Sequence, residues 1–413
     1  MTLQEAKETV VLAGKMLVES GLIARTWGNV SCRISESQFV ITPSGRDYLS
    51  LTPEEIVAVA VSDCSYSGNI KPSSEKGVHA EVYKLHPNVH FVIHTHQDQA
   101  SAIGASALQS IKVSDKYPSL HGEVLCAAYA LPGTKKLRRN VAEALARSKG
   151  NAVIMKNHGV VCFGANYDET FKTAHELEDA CKDFIHEQSK KISTTPSTDT
   201  AQIDSSVPSK PTEAARALKQ GSHCETMKNN NTQLHWESSR KDKGFRLDTQ
   251  DMSFDIALDH PLQNNSFPAS SAAYMEAEIH SEIYKSNPAI HHIIHSNTPG
   301  ISVISCIGIP KLLPLLDDFA QIAGTSVKIV ERNPSKLSSA LKNASAVFIK
   351  DNGALCCGVS KSDAQAVSMV VEKNCNAYIT SSLFGKVKPI NHLECQLMRF
   401  VYLKKYSKQV NKK

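Results

Sequence analysis

The chain has 413 residues, of which 41% are hydrophobic and 21% charged, an ordinary balance for a globular protein long enough to hold two domains. Its 46 basic and 41 acidic residues leave a net charge of +5, and no basic stripe interleaved with aromatic residues indicates a nucleic-acid partner. No signal pattern or apolar run of membrane-spanning length is present, so we expect a cytoplasmic protein without membrane contacts and with its eleven cysteines reduced.

The first part of the chain predicts alternating helices and strands. Thr2 and Glu5 have the spacing of a capping box and open an amphipathic helix. Residues 28–45, GNVSCRISESQFVITPSG, alternate like a β-hairpin, and Thr52 opens a short helix. Such alternation predicts a mixed sheet covered by helices.

Further elements follow in the same style. We predict helices at 75–85, 134–148 and 167–187, and strands at 89–96 and 151–156. Residues 189–212 are rich in Ser, Thr, Pro and Lys without periodicity, which indicates a flexible linker. The polar runs 229–231 and 238–244 suggest exposed loops beyond it.

The second half of the chain repeats the first. HAEVYKLHPNVHFVIHTHQ at 79–97 matches HSEIYKSNPAIHHIIHSNT at 280–298, an offset of 201, and AVIMKNHGVVCFG at 152–164 matches AVFIKDNGALCCG at 346–358. A period this long indicates duplication of a whole domain. We therefore predict domains at 1–188 and 213–405, joined by the linker 189–212 and followed by a basic tail at 406–413.

Three histidines of the first copy are candidate metal ligands. His94 and His96 are two apart on a strand and share a face, while His158 follows a buried strand where a turn begins. Three imidazoles with an open fourth position are typical of a catalytic site for zinc or another divalent metal. The simpler alternative is ordinary core or surface histidine. Asn297 and Asn352 replace His96 and His158 in the second copy, and this paired loss favours a shared task.

Other polar residues near these histidines have two interpretations each. Glu75 is either a general acid/base or an acidic residue favoured by a helix dipole. Three turns of small residues offer backbone N–H groups and hydroxyls that suit an anion if the fold brings them together. They are Gly28-Asn29, Ser44-Gly45 and Ser73-Ser74.

The first copy resembles the class II aldolase/adducin family. The motifs GNVS, ITPSG, PSSE, HTH and NHG occur in the family's order across about residues 5–187. The resemblance implies a three-layer α/β/α domain, present twice, with a largely antiparallel mixed sheet. It also implies zinc or another divalent metal bound by His94, His96 and His158, Glu75 as the acid/base, and a phosphate site formed by the three turns named above.

The implied activity is that of a lyase cleaving a small ketose phosphate, similar to L-fuculose 1-phosphate, through a zinc-stabilised enediolate. Family aldolases have an Ile-His-Tyr segment where this chain reads Leu120-His121-Gly122, so the tyrosine expected beside the substrate is missing. A sugar-phosphate 4-epimerase, a methylthioribulose-1-phosphate dehydratase and an adducin-like scaffold without activity remain alternatives.

The second copy is predicted to be a structural repeat without catalysis. It keeps Glu276, His280 and His295, but Ala273-Tyr274-Met275 stands where Pro72-Ser73-Ser74 is aligned, so metal and phosphate ligands are both lost. Family enzymes complete their sites with a neighbouring subunit of a four-fold ring. We therefore expect a homo-oligomer in which two chains form a pseudo-tetramer of four domains with two active sites.

Overall fold

The structure is a computed structural model that describes residues 1–23, 27–194, 236–249, 251–258 and 271–410, with the backbone alone for 192–194 and 405–410. The chain divides into two compact units, residues 1–202 with 380–388 and residues 203–379 with 389–413. They are called here the first and the second domain. The boundaries inferred from the sequence remain predictions.

The first domain is built on one eight-stranded sheet. Its strands are β1 (Asn29–Arg33), β2 (Gln38–Ile41), β3 (Val57–Ala60), β4 (Phe91–Thr95), β5 (Ser110–Lys112), β6 (Glu123–Ala127), β7 (Ala152–Met155) and β8 (Val160–Gly164). Its helices are α1 (Leu3–Glu19), α2 (Lys76–Leu85), α3 (Asp98–Gly104), α4 (Lys135–Leu145) and α5 (Tyr167–Thr194), with 3₁₀ turns at Pro53–Glu55 and Pro118–Leu120. The strand order is β3-β2-β1-β4-β8-β7-β6-β5. Among these strands β6 and β7 run parallel, and the other neighbouring pairs run antiparallel.

Helices cover both faces of this sheet, because its strands are apolar on both faces. On β4, Phe91 and Ile93 join the apolar cluster that includes residues of α1 and α5. Val92 points the other way and joins the cluster that includes residues of α2 and α4. Side chains alternate along a strand, so His94 shares the face of Val92 and points toward α2.

The second domain repeats this architecture. Its strands are β9 (Trp236–Lys241), β10 (Gly244–Asp248), β11 (Ser253–Ala257), β12 (His292–Ser296), β13 (Lys311–Leu312), β14 (Val327–Val330), β15 (Ala346–Ile349) and β16 (Ala354–Gly358). Its helices are α6 (Ala272–Ser286), α7 (Pro299–Cys306), α8 (Asp317–Ile322), α9 (Pro334–Ala340), α10 (Lys361–Leu383) and α11 (His392–Val410). The strand order, β11-β10-β9-β12-β16-β15-β14-β13, equals that of the first domain with each number raised by eight. The predicted fold, a mixed sheet covered by helices and present twice, is confirmed.

Some local predictions were wrong. Residues 238–244 were expected to form an exposed loop, but Ser238 and Arg240 belong to β9, and Ser238 is fully buried. Their polar groups are satisfied inside the domain: Ser238 Oγ lies 2.8 Å from the Tyr284 hydroxyl, and Arg240 Nε donates to the Ile290 carbonyl over 2.9 Å. A strand whose buried polar residues have hydrogen-bond partners can therefore look like a loop in the sequence.

Other boundaries also moved. The helix predicted at 167–187 continues to Thr194, into the expected linker, because Gln and Lys favour helix. The tail begins within α11, which runs to Val410. The short helix at Thr52 is a single 3₁₀ turn before β3. The rest of the linker and the run 229–231 lie outside the described residues.

The expectations about membrane spans and cysteines can be compared with the structure only for the described residues. No helix in the described part of the chain is both long and apolar enough to cross a membrane. The ten cysteines described are all free, and most of them are buried.

A partly buried carboxylate caps the same helix in both domains. Glu178 of α5 accepts hydrogen bonds from the backbone N–H groups of Gln99 and Ala100 at the start of α3, over 2.8 and 3.1 Å. Glu372 of α10 does the same for Gly300 and Ile301 at the start of α7, over 2.8 Å each. These bonds satisfy N–H groups that no helical carbonyl can reach. They fix the segment that follows β4 and β12.

We predict that Glu178→Ala lowers the free energy of unfolding by about 1–3 kcal/mol, because two N–H groups lose a charged acceptor. The measurement is urea unfolding of the full chain. The control is Glu143→Ala, whose carboxylate is exposed and lies 3.8 Å from Arg139, and which we expect to change stability by less than about 0.5 kcal/mol. Equal effects of the two substitutions would contradict the capping role.

Candidate active site

The sheet brings the three predicted metal ligands together. His94 lies near the end of β4, His96 directly follows that strand, and His158 lies in the turn between β7 and β8. Because β4 and β8 are antiparallel neighbours, the end of β4 meets the start of β8. Ring nitrogens of the three side chains lie within 4.8 Å of one another. No other such group of three potential ligands occurs among the described residues.

The turn that carries His158 explains the Asn-His-Gly sequence. Asn157 has φ +59°, a left-handed conformation that asparagine tolerates better than most residues. A Cβ on Gly159 would lie 2.4 Å from the Thr95 carbonyl oxygen and 2.9 Å from Cε1 of His94. Only glycine lets the turn approach β4 this closely, so the motif is needed to place His158 beside His94.

The ring orientation of His94 suits a metal ligand. Its Nδ1–H donates to the Val160 carbonyl over 2.8 Å, which leaves the Nε2 lone pair directed at the site. Burial lowers the pKa of His94 well below its usual value, so the ring is neutral. Its Nε2 lies 3.0 Å from Nε2 of His96.

Glu75 completes the cluster. One carboxylate oxygen lies 2.8 Å from Nε2 of His158, and the other lies 3.1 Å from Nε2 of His94. The side chain is buried and is not a solvated carboxylate of a first helical turn, the alternative that the sequence left open. Burial alone would raise the pKa of Glu75, but His94 and His158 outweigh it and hold that pKa well below its usual range.

These side chains fit a divalent metal. Three converging imidazole nitrogens, one oriented by a backbone carbonyl, and a carboxylate within reach form the donor set that zinc takes in catalytic sites. The imidazoles would be the ligands, and Glu75 lies where it can contact either the metal or a substrate. The identity of the metal stays a prediction.

A chain of buried hydrogen bonds leads from Glu75 into the core. Asn29 Nδ2 donates to Glu75 over 3.1 Å, and Asn29 Oδ1 is hydrogen-bonded to Nε2 of His79. Nδ1 of His79 lies 2.6 Å from Ser31 Oγ, which in turn lies 2.7 Å from the hydroxyl of Tyr83. Burial lowers the pKa of His79 to about 3, so its ring is neutral.

The hydrogen bonds in this series all donate in the direction of Glu75. Because Asn29 Oδ1 can only accept, Nε2 of His79 carries the proton and Nδ1 accepts from the Ser31 hydroxyl. Ser31 then accepts from Tyr83. The relay of Tyr83, Ser31, His79 and Asn29 therefore ends with a donor on Glu75 and holds its carboxylate in place.

Sequence reasoning missed this relay, although signals were present. His79 is four residues after Glu75 on one helix, and Ser31 is two residues after Asn29 on one strand. Both spacings put side chains on a common face. His79 had served only to align the two copies. The relay also engages the Asn29 amide, whose predicted role was phosphate binding.

Backbone contacts hold the predicted phosphate-binding turns side by side. Thr42 N donates to the Val30 carbonyl, and its own carbonyl accepts from Ser73 N, both over 3.0 Å. Ser44 N donates to the Lys71 carbonyl over 2.9 Å. Thr42, which the sequence did not single out, thus connects the segments that carry Asn29, Ser44 and Ser73. Whether their donors meet on one anion stays a prediction.

The glycines and Ser74 complete this region. The Gly28 carbonyl accepts from the Tyr48 hydroxyl over 2.6 Å, and a Cβ on Gly28 would lie 2.6 Å from the His94 carbonyl oxygen. Gly45 has φ +72°, which favours glycine. Ser74 lies against Gly133, near the start of α4.

The segment that departs from the family pattern has an unusual backbone. His121 has φ +49° and Gly122 has φ +78°. A tyrosine at position 122 would be strained in this left-handed conformation. The absence of a tyrosine side chain at position 122 therefore fits a local backbone that favours glycine.

The comparison with known families decides the identity of the fold. The model described as Class II Aldolase and Adducin N-terminal domain matches residues 8–185 and 243–379. The chain belongs to this family. Because the second match lies in the second domain, the predicted second copy is confirmed along with the family.

Individual relatives cover about half of the chain. A 5-deoxy-D-ribulose 1-phosphate aldolase of Bacillus thuringiensis serovar kurstaki is 32% identical over 193 residues, 46% of this chain and 89% of the relative. A 3-oxo-tetronate 4-phosphate decarboxylase of Haemophilus influenzae is 27% identical over 199 residues, 46% of this chain and 92% of the relative. A solved L-fuculose 1-phosphate aldolase is 28% identical, covers 49% of this chain and 93% of its own, and has a TM-score of 0.43. The prediction of an enzyme of the aldolase class is confirmed.

We predict that His79→Leu lowers kcat by about 10–100-fold while metal content is unchanged, because Asn29 loses the donor that orients it toward Glu75. The measurement combines steady-state kinetics with metal analysis. His79→Gln, whose amide can donate, should recover part of the loss.

The matched control for His79 is His280→Leu, the equivalent position in the second domain. It should leave kcat within about two-fold of the wild type if the second domain takes no part in catalysis. A His79→Leu enzyme with normal kcat, or one that has lost its metal, would contradict the positioning role.

Proposed function

We propose that the chain is a metal-dependent aldolase that cleaves a small ketose 1-phosphate, as L-fuculose 1-phosphate aldolases do. The observation that carries the proposal is the convergence of His94, His96 and His158 on the buried carboxylate of Glu75. The relative from Bacillus thuringiensis supports the substrate class, because its name also specifies a ketose 1-phosphate.

The roles of the residues follow from their positions. A divalent metal, when bound, supplies electrophilic stabilisation of the negative charge that develops on the substrate as its carbon–carbon bond breaks. Glu75, ionised and held by Asn29, is placed to move the proton between the substrate oxygen and carbon atoms. Burial of the carboxylate keeps bulk water from competing for that proton.

The phosphate would bind at the turns beside Thr42. Ser44, Ser73 and Ser74 carry hydroxyl groups there and Gly45 adds no bulk, while Gly28 and Asn29 lie next to them through the β1–β2 pair. Such contacts far from the breaking bond supply binding energy that positions the reacting end. The expected substrate is therefore a small phosphorylated sugar.

A different reaction at the same site is the second candidate. The similarity to a decarboxylase and the glycine at position 122, where family aldolases have tyrosine, favour it. A 4-epimerase or a dehydratase would use the same metal and carboxylate. An adducin-like scaffold is disfavoured, because a scaffold needs neither the three histidines nor the relay behind Glu75.

The assembly and the location are further proposals. We keep the homo-oligomer of two chains, a pseudo-tetramer of four domains with two active sites, and the cytoplasmic location. Light scattering of the purified chain tests the first of these. A stable monomer that is fully active would contradict it.

We predict that the full chain binds about one zinc or other divalent ion and that His96→Ala lowers the metal affinity by at least about 10-fold, because one of three ligands is lost. The measurement is metal analysis after dialysis against a weak chelator. Asn297→Ala, at the aligned position of the second domain, is the matched control and should bind metal normally. Two ions per wild-type chain would contradict the assignment.

We predict that the metal-loaded chain releases dihydroxyacetone phosphate from at least one ketose 1-phosphate and that chelator abolishes the release. In Glu75→Gln, kcat should fall by about 10²–10⁴-fold, because the proton carrier is gone. Glu143→Gln, an exposed position, is the control. Carbon dioxide or an epimer formed without aldehyde would favour the second candidate instead.

A further inference from the structure

The second domain keeps a buried carboxylate at the position of Glu75. Glu276 is 1% exposed, and its first oxygen lies 2.7 Å from Nδ1 of His295 and 3.2 Å from Nε2 of His280. Its second oxygen accepts a hydrogen bond from the Arg332 guanidinium over 3.0 Å. A carboxylate removed from water requires such compensation, since burying it unpaired is costly.

The ring of His295 faces differently from that of His94. Its Nε2 lies 2.6 Å from the Asn352 carbonyl oxygen, and its Nδ1 faces Glu276. Both nitrogens therefore meet acceptors, so the ring carries two protons and a positive charge. Burial alone would lower the pKa of His295, but Glu276 outweighs it and raises that pKa. The one retained candidate ligand has no lone pair to offer.

Arg332 comes from a segment that does something else in the first domain. It lies between β14 and α9, whereas the equivalent segment between β6 and α4 reads AYALPGT, contains no basic residue and approaches Ser74 through Gly133. The relay does not reach the carboxylate here. Trp236 pairs with His295 as Asn29 pairs with His94, so no amide stands between His280 and Glu276, and Nε2 of His280 lies 3.2 Å from the carboxylate without a hydrogen bond.

The residues around Glu276 do not form a metal site, because two positively charged side chains, Arg332 and His295, already contact its carboxylate. We propose that Arg332, together with protonated His295, replaces the metal as the counter-charge of Glu276 and keeps divalent ions out of the second domain. The second domain is then stable without metal supply, whereas the first depends on an ion for its chemistry. The inference goes beyond the proposed function, because it concerns the non-catalytic half of the chain.

The test restores the two lost histidines of the second domain in two variants, one with Arg332 and one without it. Both variants carry Asn297→His and Asn352→His, and one of them also carries Arg332→Ala. His96→Ala and His158→Ala disable the first site in both, so that cobalt bound per full-length chain reports on the second domain. We expect less than about 0.1 cobalt per chain with Arg332 present and close to one cobalt, with a visible absorption band, without it.

Each result decides the proposal. Binding while Arg332 is present would overturn it, and so would a folded Arg332→Ala variant that binds none. Circular dichroism checks the fold of each variant. Because the first site is disabled, the outcome does not depend on whether the first domain is a metal-dependent aldolase. Failure of that assignment would appear separately, as wild-type protein without metal or activity.

A stability measurement covers the case in which the multiple variants fail to fold. Arg332→Met alone should lower the melting temperature of the full chain by roughly 5–10 °C, because the buried carboxylate of Glu276 loses a charged partner. Arg332→Lys should lose less. Arg246→Met is the matched control, because it removes an exposed ion pair in which Arg246 lies 2.8 Å from Asp248. It should shift the melting temperature by less than about 2 °C. Equal shifts for Arg332→Met and Arg246→Met would overturn the proposal.

Discussion

A buried carboxylate requires compensation, and the way each domain compensates Glu75 or Glu276 decides what that domain can do. In the first domain the partners are two imidazoles and an amide donor, and we propose that a metal ion supplies the counter-charge. In the second the partners are a guanidinium and a protonated imidazole, which already carry the charge. The same fold thus holds two versions of a single site that differ in how the buried carboxylate is compensated.

The difference depends on few positions. The sheets have identical strand order. Arg33 of β1 and Arg240 of β9 each donate to a carbonyl of α2 or α6 and to one of the loop after that helix. Both long helices, α5 and α10, cap a neighbouring helix with a glutamate. The site changes through replacement of Asn29 by Trp236, loss of the histidines aligned with Asn297 and Asn352, and gain of Arg332, while this frame stays intact. Under the proposed function the first domain provides the chemistry, which allows the second copy to change in this way.

Much of the fold and of the site could be predicted from the sequence. Alternation on β4 placed His94 and His96 on one face, and the Asn-His-Gly motif placed His158 at a strand end, because both depend on local backbone geometry. Comparison of the two copies favoured the hypothesis that the histidines share a task. Caps and turns such as Thr2 and Thr52 were also readable, although Thr52 opens one turn and not a helix.

The parts that could not be predicted depend on contacts between distant segments. The role of Thr42, the relay through His79 and the arrival of Arg332 at Glu276 join residues 12 to 56 positions apart. Ser238 and Arg240 looked like loop residues because their partners lie on another element. The polarity of a residue in the sequence does not show whether the core holds a hydrogen-bond partner for it.

X-ray absorption at the zinc edge of the zinc-loaded full chain tests the central claim most directly. The account predicts one zinc per chain with three imidazole nitrogens at about 2.0–2.1 Å and one or more oxygen ligands. The His158→Ala variant should lose that signature, whereas Asn352→Ala should keep it. Zinc without imidazole nitrogens in its shell, or an unchanged spectrum after His158→Ala, would contradict the account.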